Sequence, residues 1–557
     1  MTGNLEHDVE PGVSLMEASR AVWGRTGSRM IIVGLAMLMI LFELDNSTVH
    51  VYNNYSLSEF NALSTLASLN TADVIVFAVV QPPIAKLSNV IGRGHTLFMA
   101  ISLYIISYIF MASATGVGLF AVGLMIYKIE QSGTYLMARV IVSDITSPRW
   151  RGFGLGISYF PFLITPWVSA LIVNSVVSGI GWRWGIGMFA ILMPFGACLI
   201  IGTLIYYQHR AKKMRLVPLK KITIRNFCSD IDLGGVALFV VGFALLLLPI
   251  TVAGSLPDGW RTPWVITLMV VGLLLVSLAF PAYEALVAAN PLVPAFYYKN
   301  PTIILSLLLI ATDSIGFSCT HTYLYAWATV SHNMSARDAT FYLYSNGVVQ
   351  VLSGIFAGWV MLATGRYKWL TMGGAVIRLI GYGVMIRLRG QENSMAELFA
   401  QQLIQGIGSG IIQTTLLVPP EVVVPHAQIA QVLALIYSVS YLGNSIGPAI
   451  AGGIYTNTLR PALWTHLGRN GTQELVDKLY NSITTSVLPA WGTPERVAIN
   501  FAYSDVMRNF TYAALGASVP AILMCFFLPD LLLPNDRLPL IGRGAGVGAT
   551  EESGEEK

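Results

Sequence analysis

Long apolar runs, each about the length that crosses a bilayer, follow one another along most of this 557-residue chain. A helix needs about 20 apolar residues to span the hydrocarbon core. Counting such runs predicts fourteen spans, at approximately 30–52, 64–84, 96–115, 118–142, 153–177, 184–207, 232–254, 263–287, 301–328, 340–363, 369–387, 396–418, 428–455 and 508–531. The mean hydropathy is +0.64 and 11% of the residues are charged, whereas soluble domains carry about 25% charged residues. An all-α integral membrane protein is therefore predicted.

Basic clusters between the spans fix the predicted orientation. Four of these clusters, together with the N-terminal arginines, fall on one side of the predicted membrane, which the positive-inside rule makes cytoplasmic. The clusters are Lys86/Arg93, Arg149/Arg151, 209–225 and Arg366/Lys368. Both termini are then cytoplasmic. Arg387 and Arg389 break this pattern, and we expect them to snorkel from an outer helix end.

Several functional classes have no support in the sequence. The four cysteines are far apart, and no CxxC or Cys/His cluster suggests a metal site or a disulfide framework. The net charge of +4 does not suggest a nucleic-acid partner. No nucleotide loop or catalytic triad stands out, so we expect neither an enzyme nor a resident cofactor.

The segment from Met30 to Phe60 is apolar in its first half and polar in its second. On a helix, Asp45, Thr48, Tyr52 and Tyr55 share one side, at spacings of three, four and three residues. Polar residues at membrane depth face a protein interior or an aqueous path. This side is therefore predicted to face the route of a membrane carrier.

Two features recur at nearly the same offset along the chain. A small residue stands seven positions before a Gly-Arg pair in 85–93 and again in 358–366, 273 residues later. Gln131 with Gly133 is followed at almost the same distance by Gln405 with Gly406 and Gly408. This repeat predicts two six-helix halves with two inserted helices between them. Parallel six-helix repeats define a known transporter architecture, with substrate held between the halves.

These features resemble the major facilitator superfamily, and more closely its fourteen-helix fungal siderophore–iron transporters. Residues 85–93 look like the family loop after the second helix, and 144–152 look like the end of its fourth. The subfamily likeness is carried by Leu44-Asp45 with Thr48 and Tyr52, 82–86, 161–164 with Trp167, 181–185, 322–325, 404–408 and 450–458. The sequence departs from the family pattern at Asn89, which stands in place of an Asp, and at Lys128 and Glu130, where the pattern is uncharged.

The resemblance implies a major-facilitator-type fold. The predicted division is an N-terminal segment 1–29, a six-helix bundle 30–207, a basic linker 208–231, inserted helices 232–287, a second bundle 301–531 with an outer loop 458–507, and a tail 535–557. It also implies proton-coupled import of a ferric siderophore by alternating access. The chain is then a monomer that interacts with lipid, protons and a small-molecule chelate. The plasma membrane is the expected location, with an endosomal or vacuolar membrane as the alternative.

Two other functions stay open. One is a proton-coupled exporter or exchanger of drugs or glutathione-like peptides. The other is a membrane sensor without flux.

This interpretation gives candidate residues for proton coupling, for the substrate cavity and for an inner gate. A proton carrier needs a carboxylate removed from water, and the candidates are Asp45, Glu43, Asp313 and Glu130. Aromatic and polar side chains suit a siderophore cavity, and the candidates are Tyr52, Thr48, Lys128, Gln131, Tyr135, Trp167, Tyr323, Tyr325, Tyr344 and Gln405. An inner gate is assigned to Asn89, Arg93, Asp144, Arg149, Arg151 and Arg366.

Lys128 stands in the middle of a predicted span. An unpaired Lys is costly there, and we expect it to pair with Asp45 or Glu43.

Overall fold

The computed structural model describes residues 11–60, 66–214, 216, 223–253, 261–468, 471–481 and 489–534. Within these ranges it contains twenty α-helices and no strand. The all-α prediction is thus confirmed for the part of the chain described. The tail 535–557, and parts of the N-terminal segment, the basic linker and the outer loop, lie outside the described residues.

The first half contains eight helices. They are α1 (Pro11–Glu59), α2 (Leu66–Ile91), α3 (Arg93–Ala112), α4 (Val117–Ile145), α5 (Pro148–Ser158), α6 (Thr165–Ser178), α7 (Trp182–Gly187) and α8 (Phe189–Lys213). A 3-10 turn, Phe160–Leu163, separates α5 from α6. Prolines at 161 and 166 fit this break, because a proline removes a backbone donor and is tolerated at a helix start.

Four helices follow in the inserted region. They are α9 (Ile224–Asp230), α10 (Leu233–Ala253), α11 (Pro263–Leu274) and α12 (Phe280–Leu286). A π-helical turn, Leu275–Ala279, joins α11 to α12. Helix α10 packs against α2, so the inserted region lies beside the first half.

The second half contains the last eight helices. They are α13 (Pro301–His321), α14 (Leu324–Ser331), α15 (Ala336–Thr364), α16 (Lys368–Leu388), α17 (Met395–Val422), α18 (Ile429–Leu467), α19 (Gln473–Asn481) and α20 (Pro494–Phe527). A capping box at Ser394 and Glu397 starts α17. The left-handed Gly365 ends α15, as glycine commonly does at this position.

Membrane spans can be judged by length and composition. Among the described helices, ten are long and apolar enough to cross a membrane, and the bent pair Pro148–Ser169 and Leu171–Val177 makes an eleventh. Helices α4 and α17 are 29 and 28 residues long but bury many polar side chains. The apolar stretch Leu233–Pro249 is shorter. Within the described residues, each of the fourteen predicted spans overlaps a helix or a broken helix.

The two halves meet mainly along two helix pairs, α2 with α18 and α5 with α15. At the second crossing the backbones touch, because a Cβ added at Gly358 would lie 2.5 Å from the carbonyl carbon of Gly152. Glycines allow helices to approach this closely in membranes. The site described next lies between these two pairs.

Candidate functional site

A cavity of about 290 Å³ lies between the halves. We call it the main cavity. Its walls come from α1, α4 and α5 of the first half and from α13, α15, α17 and α18 of the second. Its polar lining includes Glu43, Asn46, Tyr135, Tyr159, Asp313, Gln350, Gln413, Tyr437, Tyr441 and Asn444. Both halves thus contribute polar groups to one space.

A side cavity of about 150 Å³ adjoins the main cavity and shares four of its lining residues. Its own polar lining consists of Asp73, Lys128 and Gln131. Tyr135, which was predicted as a cavity residue, lines both spaces, and Lys128 and Gln131 line the side cavity. Gln405 lies behind the wall of the main cavity, where its Oε1 accepts a hydrogen bond from Arg378 of α16.

The predicted polar side of α1 does not face either cavity. Thr48 and Tyr52 are fully buried, and a Cβ added at Gly185 would lie 2.6 Å from the Tyr52 ring. The Thr48 hydroxyl donates to the Leu44 carbonyl of its own helix. The neighbouring face, with Glu43 and Asn46 three residues apart, lines the main cavity instead. The prediction was therefore wrong by about one residue of helix rotation, or about 100°.

The remaining aromatic candidates lie outside both linings. Trp167 packs against Phe341 of α15 with ring centroids 4.7 Å apart. Tyr344 contacts the ring of Phe162, which does line the main cavity. These contacts join the two halves away from the inner-gate residues.

Tyr323 and Tyr325 belong to the second half alone. Tyr323 stacks on Tyr455 with ring centroids 4.4 Å apart. Tyr325 is exposed at the surface. Neither side chain reaches the space between the halves in this conformation.

Asp45 is completely buried and accepts two hydrogen bonds. The hydroxyls of Tyr108 and Tyr127 donate to its two carboxylate oxygens at 2.7 and 2.8 Å. Gln131 Nε2 donates both to the Tyr127 hydroxyl, at 3.0 Å, and to Asn46 Oδ1, at 3.2 Å. A hydrogen-bonded chain therefore connects this carboxylate to Asn46 on the wall of the main cavity.

Lys128 does not pair as predicted. Its Nζ lies 3.9 Å from Asp73 Oδ2 on α2 and donates to Gln131 Oε1 at 2.9 Å. The two tyrosine hydroxyls already satisfy Asp45, and Glu43 lies toward Arg139 and the main cavity. The lysine thus forms an ion pair with Asp73, which was not one of its two predicted partners.

Glu130 is buried on the opposite face of α4. Ser107 donates to its Oε1 at 3.3 Å, while its Oε2 has no hydrogen-bond partner among the described residues. It lines neither cavity.

Asp313 faces the main cavity and is held by three side chains. Arg378 Nε lies 2.6 Å from its Oδ1, while Ser409 and Gln413 donate to its Oδ2 at 3.3 and 3.2 Å. The same guanidinium donates to Gln405 Oε1 at 2.6 Å. Sequence reasoning missed Arg378. The available signal was an arginine in the middle of the apolar span 369–387, since a charge at that depth needs a buried partner.

Arginines close the seam between the halves at one end of the molecule, which we call the Arg93 end. Arg93 Nε lies 3.0 Å from Asp144 Oδ2, and its Nη1 donates to Asn89 Oδ1 at 2.6 Å. Asn89 in turn donates to the Ala427 carbonyl of the second half at 2.9 Å. The His426 ring lies 3.5 Å from Asp144. These side chains are almost fully buried, so the seam is closed to bulk solvent at this end.

Two further arginines cross the same seam. Arg149 Nε donates to the Leu362 carbonyl at 2.6 Å. Arg151 Nη1 lies 3.5 Å from Glu421 Oε2. Arg366 instead pairs with Asp530 of its own half at 2.7 Å. The structure thus gathers five of the six predicted gate residues at the seam and adds Glu421 and His426, which the sequence analysis did not name.

The expectation that Arg389 snorkels was wrong. Its side chain is completely buried and donates to the Thr320 carbonyl at 2.9 Å and to Gln401 Oε1 at 3.2 Å. Neutral oxygens of the second half therefore accept from Nε and Nη1 of this cation, while its Nη2 has no hydrogen-bond partner among the described residues.

Comparison with known proteins agrees with this architecture. The family model described as Major Facilitator Superfamily matches residues 30–331. The siderophore transporter fer7 of Mycosarcoma maydis is 30% identical, over 94% of this chain and 83% of its own length. Siderophore iron transporter 1 of Schizosaccharomyces pombe is 31% identical, over 86% of this chain and 78% of its own length.

Solved structures agree on the fold. The proton:xylose symporter XylE superposes with a TM-score of 0.52 at 14% identity, covering 90% of this chain and 96% of its own. The human organic anion transporter MFSD10 also superposes with a TM-score of 0.52, at 12% identity, covering 88% of this chain and 99% of its own.

The chain belongs to the major facilitator superfamily, and within it groups with the fungal siderophore transporters, as its motifs predicted. It is therefore a multi-pass membrane protein of a transporter family.

Proposed function

We propose that this protein imports a ferric siderophore, driven by protons, through alternating access of one cavity to the two sides of the membrane. The observation that carries the proposal is the main cavity, which both halves line and which buried side-chain contacts close at the Arg93 end. Two relatives at 30 and 31% identity are siderophore transporters by name. Binding between two repeats that rock against each other is the general scheme of such carriers.

The cavity chemistry suits a preformed chelate. A siderophore surrounds ferric iron with its own oxygens, so the carrier has to bind the organic surface and not the ion. Tyr135, Tyr159, Tyr437 and Tyr441 offer flat faces and hydroxyl groups to such a surface. No group of three or more His, Cys, Asp or Glu residues in the described ranges is placed to hold a metal.

The size of the cavity indicates which step this conformation represents. Its 290 Å³ is at the low end of ligand pockets, which hold about 300–1,000 Å³. A hexadentate iron chelate therefore requires the halves to separate before it enters. Since the Arg93 end is sealed, we propose that entry occurs at the opposite end, where Trp167 meets Phe341.

We propose Asp45 as the proton-coupling residue. It is removed from water, and Gln131 and Asn46 connect it to the cavity wall. Glu43 and Asp313 reach the wall directly, so a bound chelate would contact them first. Glu130, which lies away from both cavities, is the alternative coupling site.

The orientation and location are also proposals. With the Arg93 end cytoplasmic, the basic seam obeys the positive-inside rule. The sealed side then faces the cell interior, as expected before uptake. We propose a monomer of two six-helix bundles and an inserted helix pair, in the plasma membrane.

Uptake of labelled iron tests the function. Cells without their own carriers would express this chain and receive iron bound to several chelators, with and without a protonophore. Chelator-selective uptake that the protonophore abolishes is the expected result. Export of other solutes without uptake of any chelate would favour the exporter, and binding without flux would favour the sensor.

A further inference from the structure

The wall of the main cavity carries charge of one sign. Glu43 on α1 and Asp313 on α13 both line it, one from each half. Among the described residues that line this cavity there is no Lys, Arg or His. A bound molecule would therefore meet carboxylates on two facing helices and otherwise neutral polar or aromatic groups.

The balancing cations lie behind this wall. Arg378 is almost completely buried and binds Asp313 Oδ1 and Gln405 Oε1, both at 2.6 Å. Arg139 is completely buried, with its guanidinium 3.7 Å from the Tyr135 ring centroid and 4.3 Å from that of Tyr159. These two rings line the cavity and separate Arg139 from it. Both arginines thus stabilise the wall without contacting a ligand.

Lys128 does not reverse this pattern. It lines the side cavity, where Asp73 lies 3.9 Å from its Nζ and Gln131 Oε1 accepts a hydrogen bond from it at 2.9 Å. The pair adds no net charge to the side cavity.

We infer that the main cavity selects ferric chelates by charge, accepting neutral and cationic complexes, above all those with a free ammonium group, and excluding complexes with a net negative charge. The inference rests on the proposed function and adds a substrate class to it. Asp313 Oδ2 accepts two neutral donors, Ser409 and Gln413, and a carboxylate oxygen has room for a further donor from the ligand. An anionic chelate would instead meet like charge in a medium that screens poorly.

A matched ligand series tests this without changing the protein. The ferric complex of a linear trihydroxamate with a terminal primary amine carries one positive charge. Its N-acetyl derivative carries none and its N-succinyl derivative carries one negative charge, while the iron centre is the same in all three. Equilibrium binding to the purified full chain in lipid nanodiscs is expected to follow that order. The succinyl complex should bind more weakly than the amine complex by roughly tenfold or more.

Two variants test the assignment to the wall. Asp313→Asn and Glu43→Gln should each reduce the ratio of amine to succinyl affinity severalfold. Asp338→Asn removes an exposed carboxylate of α15 that lies outside the cavity, and should leave the ratio unchanged. Thermal unfolding of each variant shows whether it is folded. If Asp313→Asn does not fold because Arg378 loses its partner, Glu43→Gln still gives the comparison.

Each contrary outcome would contradict either this inference or the proposed function. Equal affinity for the three complexes, or tighter binding of the succinyl complex, would overturn the inference and leave siderophore transport standing. A ratio that neither variant changes would also overturn it. Binding of none of the three complexes would contradict the proposed function itself.

Discussion

The Lys128 ammonium group of α4 lies 3.9 Å from the Asp73 carboxylate of α2. The two side chains are 17% and 9% exposed, at the wall of the side cavity. Asp45 is left with two tyrosine hydroxyls as its partners. The first half therefore keeps this ion pair separate from the fully buried Asp45 carboxylate.

Replacing one member of the Lys128–Asp73 pair should lower the stability of the protein more than replacing both. We expect Lys128→Gln and Asp73→Asn each to lower the stability of the protein by about 1–2 kcal/mol, because each leaves one charge at membrane depth without its partner. The double variant should recover part of this loss. Unfolding in detergent, analysed as a double-mutant cycle, measures the coupling. Additive single effects would show that the two groups do not interact.

Asp45→Asn should uncouple uptake from the proton gradient. The amide keeps an oxygen to accept from one tyrosine but cannot exchange a proton, so uptake driven by an acid exterior should fall by roughly tenfold or more. Exchange of labelled for unlabelled chelate at equal concentration, which needs no net proton movement, should persist.

The matched control for this prediction is Tyr108→Phe. It removes one hydrogen bond from Asp45 and keeps the carboxylate, so uptake should remain dependent on the gradient. If Asp45→Asn still accumulates chelate against a concentration gradient, Asp45 is not the coupling site, and Glu43, Asp313 and Glu130 become the next candidates.

The glycine crossing of α5 and α15 should tolerate a methyl group on one side only. At Gly358 a Cβ would lie 2.5 Å from backbone atoms of Gly152, so Gly358→Ala should disfavour the sealed state by about 1–3 kcal/mol. At Gly152 the nearest atom is 3.3 Å away and belongs to the flexible Met361 side chain, so Gly152→Ala should be tolerated. Gly373→Ala, with open space around it, is a neutral control.

Cysteine labelling measures this shift. The chain would first lose its four native cysteines and gain one at Leu417, on the wall of the main cavity. In Gly358→Ala this cysteine should react faster with a reagent supplied at the Arg93 end, and uptake should fall. Unchanged labelling in a variant that has lost transport would argue that the crossing does not control the seal.

Two tyrosines of similar predicted role should behave differently. The Tyr52 hydroxyl is buried and has no hydrogen-bond partner among the described residues, so Tyr52→Phe should leave chelate affinity within about twofold and stability within about 0.5 kcal/mol. Tyr135 lines both cavities and shares a hydrogen bond of 2.6 Å with Tyr159. Tyr135→Phe should weaken binding by roughly three- to tenfold. Equal effects of the two substitutions on affinity would contradict the position of the cavity.

The sequence was sufficient to predict the helices, because a bilayer imposes one length and one composition on every span. It also located most of the Arg93 end, where Asn89, Arg93 and Asp144 stand in recognisable segments. The rotation of each helix about its axis was not predictable in the same way. Asp45 and Asn46 differ by one position, yet one is enclosed by tyrosines and the other lies on the cavity wall.

The pairing of charged side chains on separate helices was also not predictable from the sequence. Lys128 and Arg378 each needed a carboxylate, but the choice depends on which helices are neighbours and at what depth. Asp73 lies 55 residues before Lys128, and Asp313 lies 65 residues before Arg378. Spacing along the chain does not encode such pairings, whereas helix packing does.

Two contacts that close the seam at the Arg93 end are made to main-chain oxygens of the second half. Asn89 donates to the carbonyl of Ala427, and Arg149 donates to that of Leu362. Carbonyl oxygens neither titrate nor change when a side chain is replaced. Side-chain substitutions confined to the second half would therefore leave these two contacts in place, and acidification could not weaken them from that half. The contacts of Glu421 and His426, in contrast, are made by side chains that titrate.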